Sequence, residues 1–160
     1  ENKITLDASG NAAAGDQSTE NKTAEPSTLD ELFGGENLSV TYTGAEIAAN
    51  YMEGGYYSLD AEQGKTFVIV GIDITNSGAD EIAIDNFAKT PKFSVMVNGQ
   101  EKAEEENTIL PSDFALYQET VPAGVTENTI LLFQVPDSVT SVDSLDLFVN
   151  ISGTNYQITL

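Results

Sequence analysis

The stretch Gly64-Lys-Thr-Phe-Val-Ile-Val-Gly-Ile-Asp-Ile-Thr-Asn76 decides the fold. Val68, Val70, Ile72 and Ile74 alternate with Phe67, Ile69, Gly71, Asp73 and Thr75. A period of two marks a β-strand with one face on a core. The aliphatic set is mostly β-branched, which packs well on a pleated surface. On this reading Asp73 stands on the solvent face of the strand. Asn76 closes it, where an asparagine bonds nearby backbone and accepts a turn.

The same period continues outward from this strand. Leu38/Val40/Tyr42, Phe93/Val95/Val97, Ile130/Leu132 against Leu131/Phe133/Val135, Leu145/Leu147/Val149/Ile151 and Tyr156/Ile158/Leu160 all alternate with other residues. Turn chemistry separates them: Asn76-Ser-Gly78, Asn98-Gly99 and Ser152-Gly-Thr-Asn155, with Asn-Gly the strongest short hairpin signal. Pro111, Pro122 and Pro136 fall at or beyond strand ends, where a missing N–H costs least. No sustained helical period interrupts the series. The pattern predicts an all-β, antiparallel sandwich of seven to nine strands.

Residues 1–36 differ in kind. They are rich in Asn, Ala, Gly, Ser, Thr, Glu and Asp, and such a segment cannot bury enough apolar surface to offset its ordering entropy. The domain division is therefore a flexible polar linker over 1–36 and a sandwich over 37–160. Thr28-Leu-Asp-Glu-Leu-Phe33 interrupts the linker with a capping-box pattern, Thr28 to Glu31, and predicts one short helical turn near 28–33.

Composition removes whole classes of chemistry. The chain of 160 residues has no Cys and no His, and its six basic residues are all lysine. Zinc fingers, thiol nucleophiles and Ser-His-Asp triads are excluded, as is the bidentate arginine clamp for phosphate or guanine. A net charge of −20 repels nucleic acid and anionic membranes and favours cations or basic partners. The chain opens on Glu-Asn-Lys without an initiator Met, which suggests a trimmed chain or a mature form, and an expression remnant would look the same.

The pattern from Gly64 to Asn76, followed by Val121-Pro-Ala-Gly124, Leu132-Phe-Gln-Val-Pro136 and the strand Ser144–Ile151, resembles a family of bacterial secreted proteins and lipoproteins of unknown function. That family is similar to the secreted immunoprotective antigens of mycobacteria. The resemblance spans Leu38 to Leu160. It implies an immunoglobulin-like β-sandwich outside the cytoplasm, secreted or at the cell surface, with the polar linker as a tether to a lipid anchor absent from this chain. Ala123 separates Pro122 from Gly124 where the family has them adjacent, and Gln100–Ser112 is unusually acidic. The motifs are structural and name no activity.

Three groups of residues are candidates for contact or chemistry. Tyr51, Tyr56 and Tyr57 surround Gly54-Gly55; tyrosine supplies large amphipathic area at low entropic cost. They form the candidate ligand or partner contact, and otherwise cover an open end of the sandwich. Glu101, Glu104, Glu105 and Glu106 form an acidic loop for a basic partner, or a solvated, protected edge. Asp80, Glu81 and Asp85 are a candidate calcium set, although their spacing lacks the helix-loop-helix pattern. No stretch sets an acid in strongly apolar surroundings, so a glycosidase-type acid pair is not expected. The sequence therefore reads as a non-catalytic extracytoplasmic binding or protein-interaction domain, without a cofactor. Its partner would be a protein or cell-envelope component, with a calcium-dependent glycan-binding module as the alternative.

Overall fold

A computed structural model describes residues 23–160. The strands are β1 (Glu25–Thr28), β2 (Leu38–Ala48), β3 (Asn50–Glu53), β4 (Tyr57–Asp60), β5 (Lys65–Asn76), β6 (Ile82–Ala83), β7 (Lys92–Val97), β8 (Glu101–Glu104), β9 (Thr120–Val121), β10 (Thr126–Pro136), β11 (Leu145–Ile151) and β12 (Thr154–Thr159), with one short helix, α1 (Leu29–Phe33). They form a five-stranded sheet in the order β1-β12-β11-β7-β8 and a three-stranded sheet in the order β10-β5-β2. Two small ribbons, β3-β4 and β6-β9, complete the set. The all-β sandwich expected from the periodicity is what forms. Strands beyond the expected number are pieces of two to four residues, too short to show alternation.

β5 is the central strand of its sheet, paired antiparallel to β10 and β2 along its length. Val68, Val70, Ile72 and Ile74 pack between the sheets with Leu131, Phe133 and Val135 of β10. Phe93, Val95 and Val97 of β7, Leu147 and Val149 of β11, and Ile158 of β12 face them from the other sheet. The Asn98-Gly99 turn joins β7 to β8 with both residues at positive φ, the primed geometry that matches strand twist. Ser152-Gly153 does the same between β11 and β12.

The outer face of β5 departs from expectation. Phe67 and Ile69 are buried in a second cluster with Leu110 and Leu132, roofed by Tyr51 and Leu59 of the β3–β4 hairpin. The first half of β5 is therefore covered on both faces. Further along, Asp73 does reach the outer face, where Asn128 Nδ2 donates to its Oδ1 at 2.7 Å across the register pair. Asn76 is fully buried, and its Nδ2 donates to the carbonyls of Asp80 and Val121 at 2.8 and 3.0 Å. Its Oδ1 accepts from the Gly78 amide at 2.8 Å, so it is a structural bolt for the turn.

The boundary at residue 36 is corrected. β1 pairs in parallel with β12, and Leu29 and Phe33 of α1 are buried in the main core. The packed domain thus begins at Glu25. With Leu32 packed partly against the same core, three apolar side chains in a polar segment suffice when they share one helical face. The capping box is present: the Glu31 amide donates to Thr28 Oγ1 at 3.0 Å and the Thr28 amide to Glu31 Oε1 at 3.2 Å. Phe33 stacks with Phe93 at 5.9 Å and meets Phe114 edge-on at 4.9 Å. The linker expected over residues 1–22 lies outside the described residues. Among the described residues, no helix is long and apolar enough to cross a membrane.

Candidate functional site

Two glycines set the shape of the tyrosine segment. Gly54 and Gly55 both sit at positive φ, and the Tyr56 amide donates to the Glu53 carbonyl at 3.2 Å. Such a turn needs left-handed conformations that residues with a Cβ disfavour. It folds Asn50–Glu53 back on Tyr57–Asp60 as a hairpin and divides the three tyrosines. Tyr51 faces inward onto the second cluster, its hydroxyl donating to Glu53 Oε1 at 3.2 Å. Burial, first among its causes, raises its pKa above the ordinary phenol value. Tyr56 is 92% exposed at the tip, and Tyr57 and Met52 are also exposed.

Glu53 is the hinge pin of this hairpin. Its Oε2 accepts from the Ser112 amide at 3.2 Å and its Oε1 from the Ser112 hydroxyl. With Leu110 packed beneath Tyr51, the hairpin is fastened to the segment 107–112. The tip is thus presented on a fixed base, which limits the ordering entropy a contact must overcome.

The acidic loop is not a loop, and its glutamates do not act together. Glu101–Glu104 is β8, paired with β7. The Glu105 amide then donates to the Phe93 carbonyl at 3.1 Å and the Glu106 amide to the Leu132 carbonyl at 2.8 Å. The chain here steps from one sheet to the other and closes that edge of the sandwich. Glu104 points to solvent, and Glu106 accepts from Gln134 Nε2 at 2.9 Å. Glu105 turns inward, and its Oε2 is buried without a hydrogen-bond partner.

Opposite Glu105 lies Asp113, only 2% exposed. Its Oδ2 accepts from Thr108 Oγ1 at 2.6 Å and its Oδ1 from the Ala115 amide at 3.0 Å. Burial, then the charge of Asp113, then hydrogen bonding to it push the Glu105 pKa up to about 9. Glu105 is therefore protonated at neutral pH and offers Asp113 a proton. The sequence expectation that no acid sits in apolar surroundings is overturned at this position. The signal was present: period two from Ala103, which packs on the core, puts Glu105 on the same inward face.

Asp80, Glu81 and Asp85 are exposed and do not assemble. Asp85 Oδ1 instead accepts from the Ala88 amide at 3.0 Å and from Gln118 Nε2 at 3.3 Å. Among the described residues, no three acidic side chains converge as metal ligands.

No protein-family profile matches the chain, and no curated protein does. The mycobacterial resemblance thus has no further support from sequence. Solved structures do resemble it in fold. An uncharacterized β-sandwich protein from Clostridium difficile is 18% identical at a TM-score of 0.49, covering 86% of this chain and 97% of its own. A conserved hypothetical protein from Bacillus anthracis is 11% identical at a TM-score of 0.42, covering 78% and 89%. A candidate lipoprotein from Bacillus subtilis is 12% identical at 0.40, and the match spans 87% of this chain but 39% of that one.

Proposed function

We propose that this chain is a non-catalytic contact domain working outside the cytoplasm, and that the β3–β4 hairpin is its contact element. One observation carries the reading: Tyr56 is 92% exposed at the tip of a hairpin whose base is bolted to the body by Tyr51 and Glu53. A large aromatic ring left in water gains by covering. Its rigid mounting makes that gain available for binding. Extracytoplasmic location is supported by the resemblance of the Gly64–Asn76 and Leu132–Pro136 motifs to secreted and lipid-anchored proteins. The immunoglobulin-like variant of the sandwich is part of the same reading.

The buried acid pair is consistent with a non-catalytic role. A glycosidase-type acid must reach a substrate oxygen, whereas Glu105 Oε2 is enclosed.

The test is affinity capture from the parent cell's envelope with the wild-type chain and with Tyr56→Ala/Tyr57→Ala. The expected result is loss of specific captured components in the variant, with its thermal midpoint within about 2 °C of wild type, since exposed side chains contribute little to folding. Identical capture by both chains would remove the hairpin from the reading.

A further inference from the structure

Glu105 and Asp113 stand at the two ends of one crossover. The chain leaves β8 at Glu105, which bridges Phe133 of β10, and the crossover ends at Asp113, which bridges Ile130 of the same strand. Between them the Glu106 amide donates to the Leu132 carbonyl at 2.8 Å, and the Ser112 carbonyl accepts from the Ile130 amide at 2.9 Å. The crossover thus covers the edge of β10 that β5 leaves open. It also carries the β3–β4 hairpin, through Glu53 on Ser112 and Leu110 beneath Tyr51.

Of the two acids, one is satisfied and the other is not. Asp113 accepts from Thr108 Oγ1 and the Ala115 amide, whereas Glu105 Oε2 is buried without a partner. The neighbours of Glu105 on β7 and β10 are Phe93, Leu132 and Phe133, which bring no charge. Lys92 and Lys102 on the adjoining strands are exposed, and Glu106 turns to Gln134. Among the described residues, no lysine pairs with either acid. Asp113 is the charged group that acts on Glu105. Two facing carboxyl groups in such surroundings hold together through one proton and repel without it.

We propose that the proton shared by Glu105 and Asp113 is a clasp: with it the crossover and the hairpin stay closed on the sandwich, and without it they open together while the two-sheet core remains folded. The crossover is the weaker unit, since a few bonds join it to β10, whereas β5 is paired on both sides along its length. In the opened segment Glu105 titrates near its ordinary 4.5, and in the closed one it keeps its proton up to about 9. Each pH unit between these values therefore favours opening about tenfold more. As a clasp, this stands on the two acids. As a regulator of contact it rests on the contact-domain reading, because the tyrosine tip keeps its fixed base only while the crossover is closed.

The test is amide hydrogen exchange of the full chain between pH 6 and pH 8.5, each rate corrected for intrinsic base catalysis. The amides of Glu106 and Ile130 and those of the hairpin should share one opening constant that rises about tenfold per pH unit. At each pH they should exchange at least about tenfold faster than Val70 and Ile72 of β5. Glu105→Gln keeps a donor toward Asp113 and should abolish the slope. Glu106→Gln removes the neighbouring charge and should leave the slope within about twofold of wild type. Carbon-13 NMR of the wild-type chain reads the acid without any variant: the Glu105 carboxyl should titrate well above the ordinary 4.5. Crossover amides that exchange only with the core would overturn the proposal, as would a hairpin that opens independently of them. So would a slope that survives Glu105→Gln, or a Glu105 carboxyl that titrates in the ordinary range. Exchange needs no partner, so a failed clasp leaves the capture result standing, and a failed capture leaves the clasp.

Discussion

Glu104, Glu105 and Glu106 are consecutive in sequence, and the fold sends them to solvent, to a buried pair and to a glutamine partner respectively. Glu53, Glu119 and Glu127 come from distant parts of the chain and line one groove. The difference teaches that adjacency in a strand disperses charge, because successive side chains leave on opposite faces. Convergence needs separate elements brought to one corner. Here the hairpin, the segment after the Phe114–Leu116 turn and the start of β10 do so.

The two regions can be pulled apart experimentally, and the largest effect should come from the anchor they share. Phe114 is fully buried in the aromatic trio, 6.0 Å from Phe93, and it follows Asp113 directly. Phe114→Ala should cost about 3–5 kcal/mol of unfolding free energy, read by urea denaturation. A cost below about 1 kcal/mol would mean that this segment is not held by the core.

Next comes the inward acid. Its folded pKa of about 9 lies above the ordinary 4.5, so across that window the native state holds a proton that the unfolded chain has released. This contribution to stability is complete below about pH 4.5 and is lost as pH rises toward 9. Glu105→Gln keeps a donor toward Asp113 without a charge to ionise. The thermal midpoint of the variant should fall less between pH 5 and pH 9 than that of wild type, with its largest relative gain at the alkaline end. Parallel pH profiles for the two chains would rule out the buried protonated acid.

The groove acids should behave oppositely. Glu119→Gln and Glu127→Gln should change stability by no more than about 0.5 kcal/mol at any pH, since partly exposed groups away from a packed partner contribute little. A loss above about 1 kcal/mol would show that they serve the fold. The smallest effect is expected from calcium. Because Asp80, Glu81 and Asp85 do not assemble with other acids as a metal site, millimolar Ca²⁺ should leave the thermal midpoint unchanged, and a rise reversed by chelator would reinstate a site.

Much of the architecture was legible along the chain. Val68, Val70, Ile72 and Ile74 announced the central strand, Asn98-Gly99 the β7–β8 hairpin of the facing sheet, and Thr28 with Glu31 a helix start. Those signals are local, so one strand or turn carries each of them complete. The two-faced burial of Phe67 and Ile69 was not legible, because their cover comes from Tyr51, Leu59 and Leu110, elements whose docking no period records. The tyrosine cluster was visible as composition, but its division into one anchor and two exposed rings followed from the Gly54-Gly55 turn.

The sequence by itself determined that alternating aliphatics would build a two-sheet core, that the turns would fall at Asn-Gly and Ser-Gly, and that a chain without histidine, cysteine or arginine would lack their chemistry. Only the tertiary structure decided which acids are buried, which are satisfied and which share a groove with Tyr117. Strand formation depends on neighbours within a few residues, whereas the solvation and pairing of a charge depend on whatever the fold places around it.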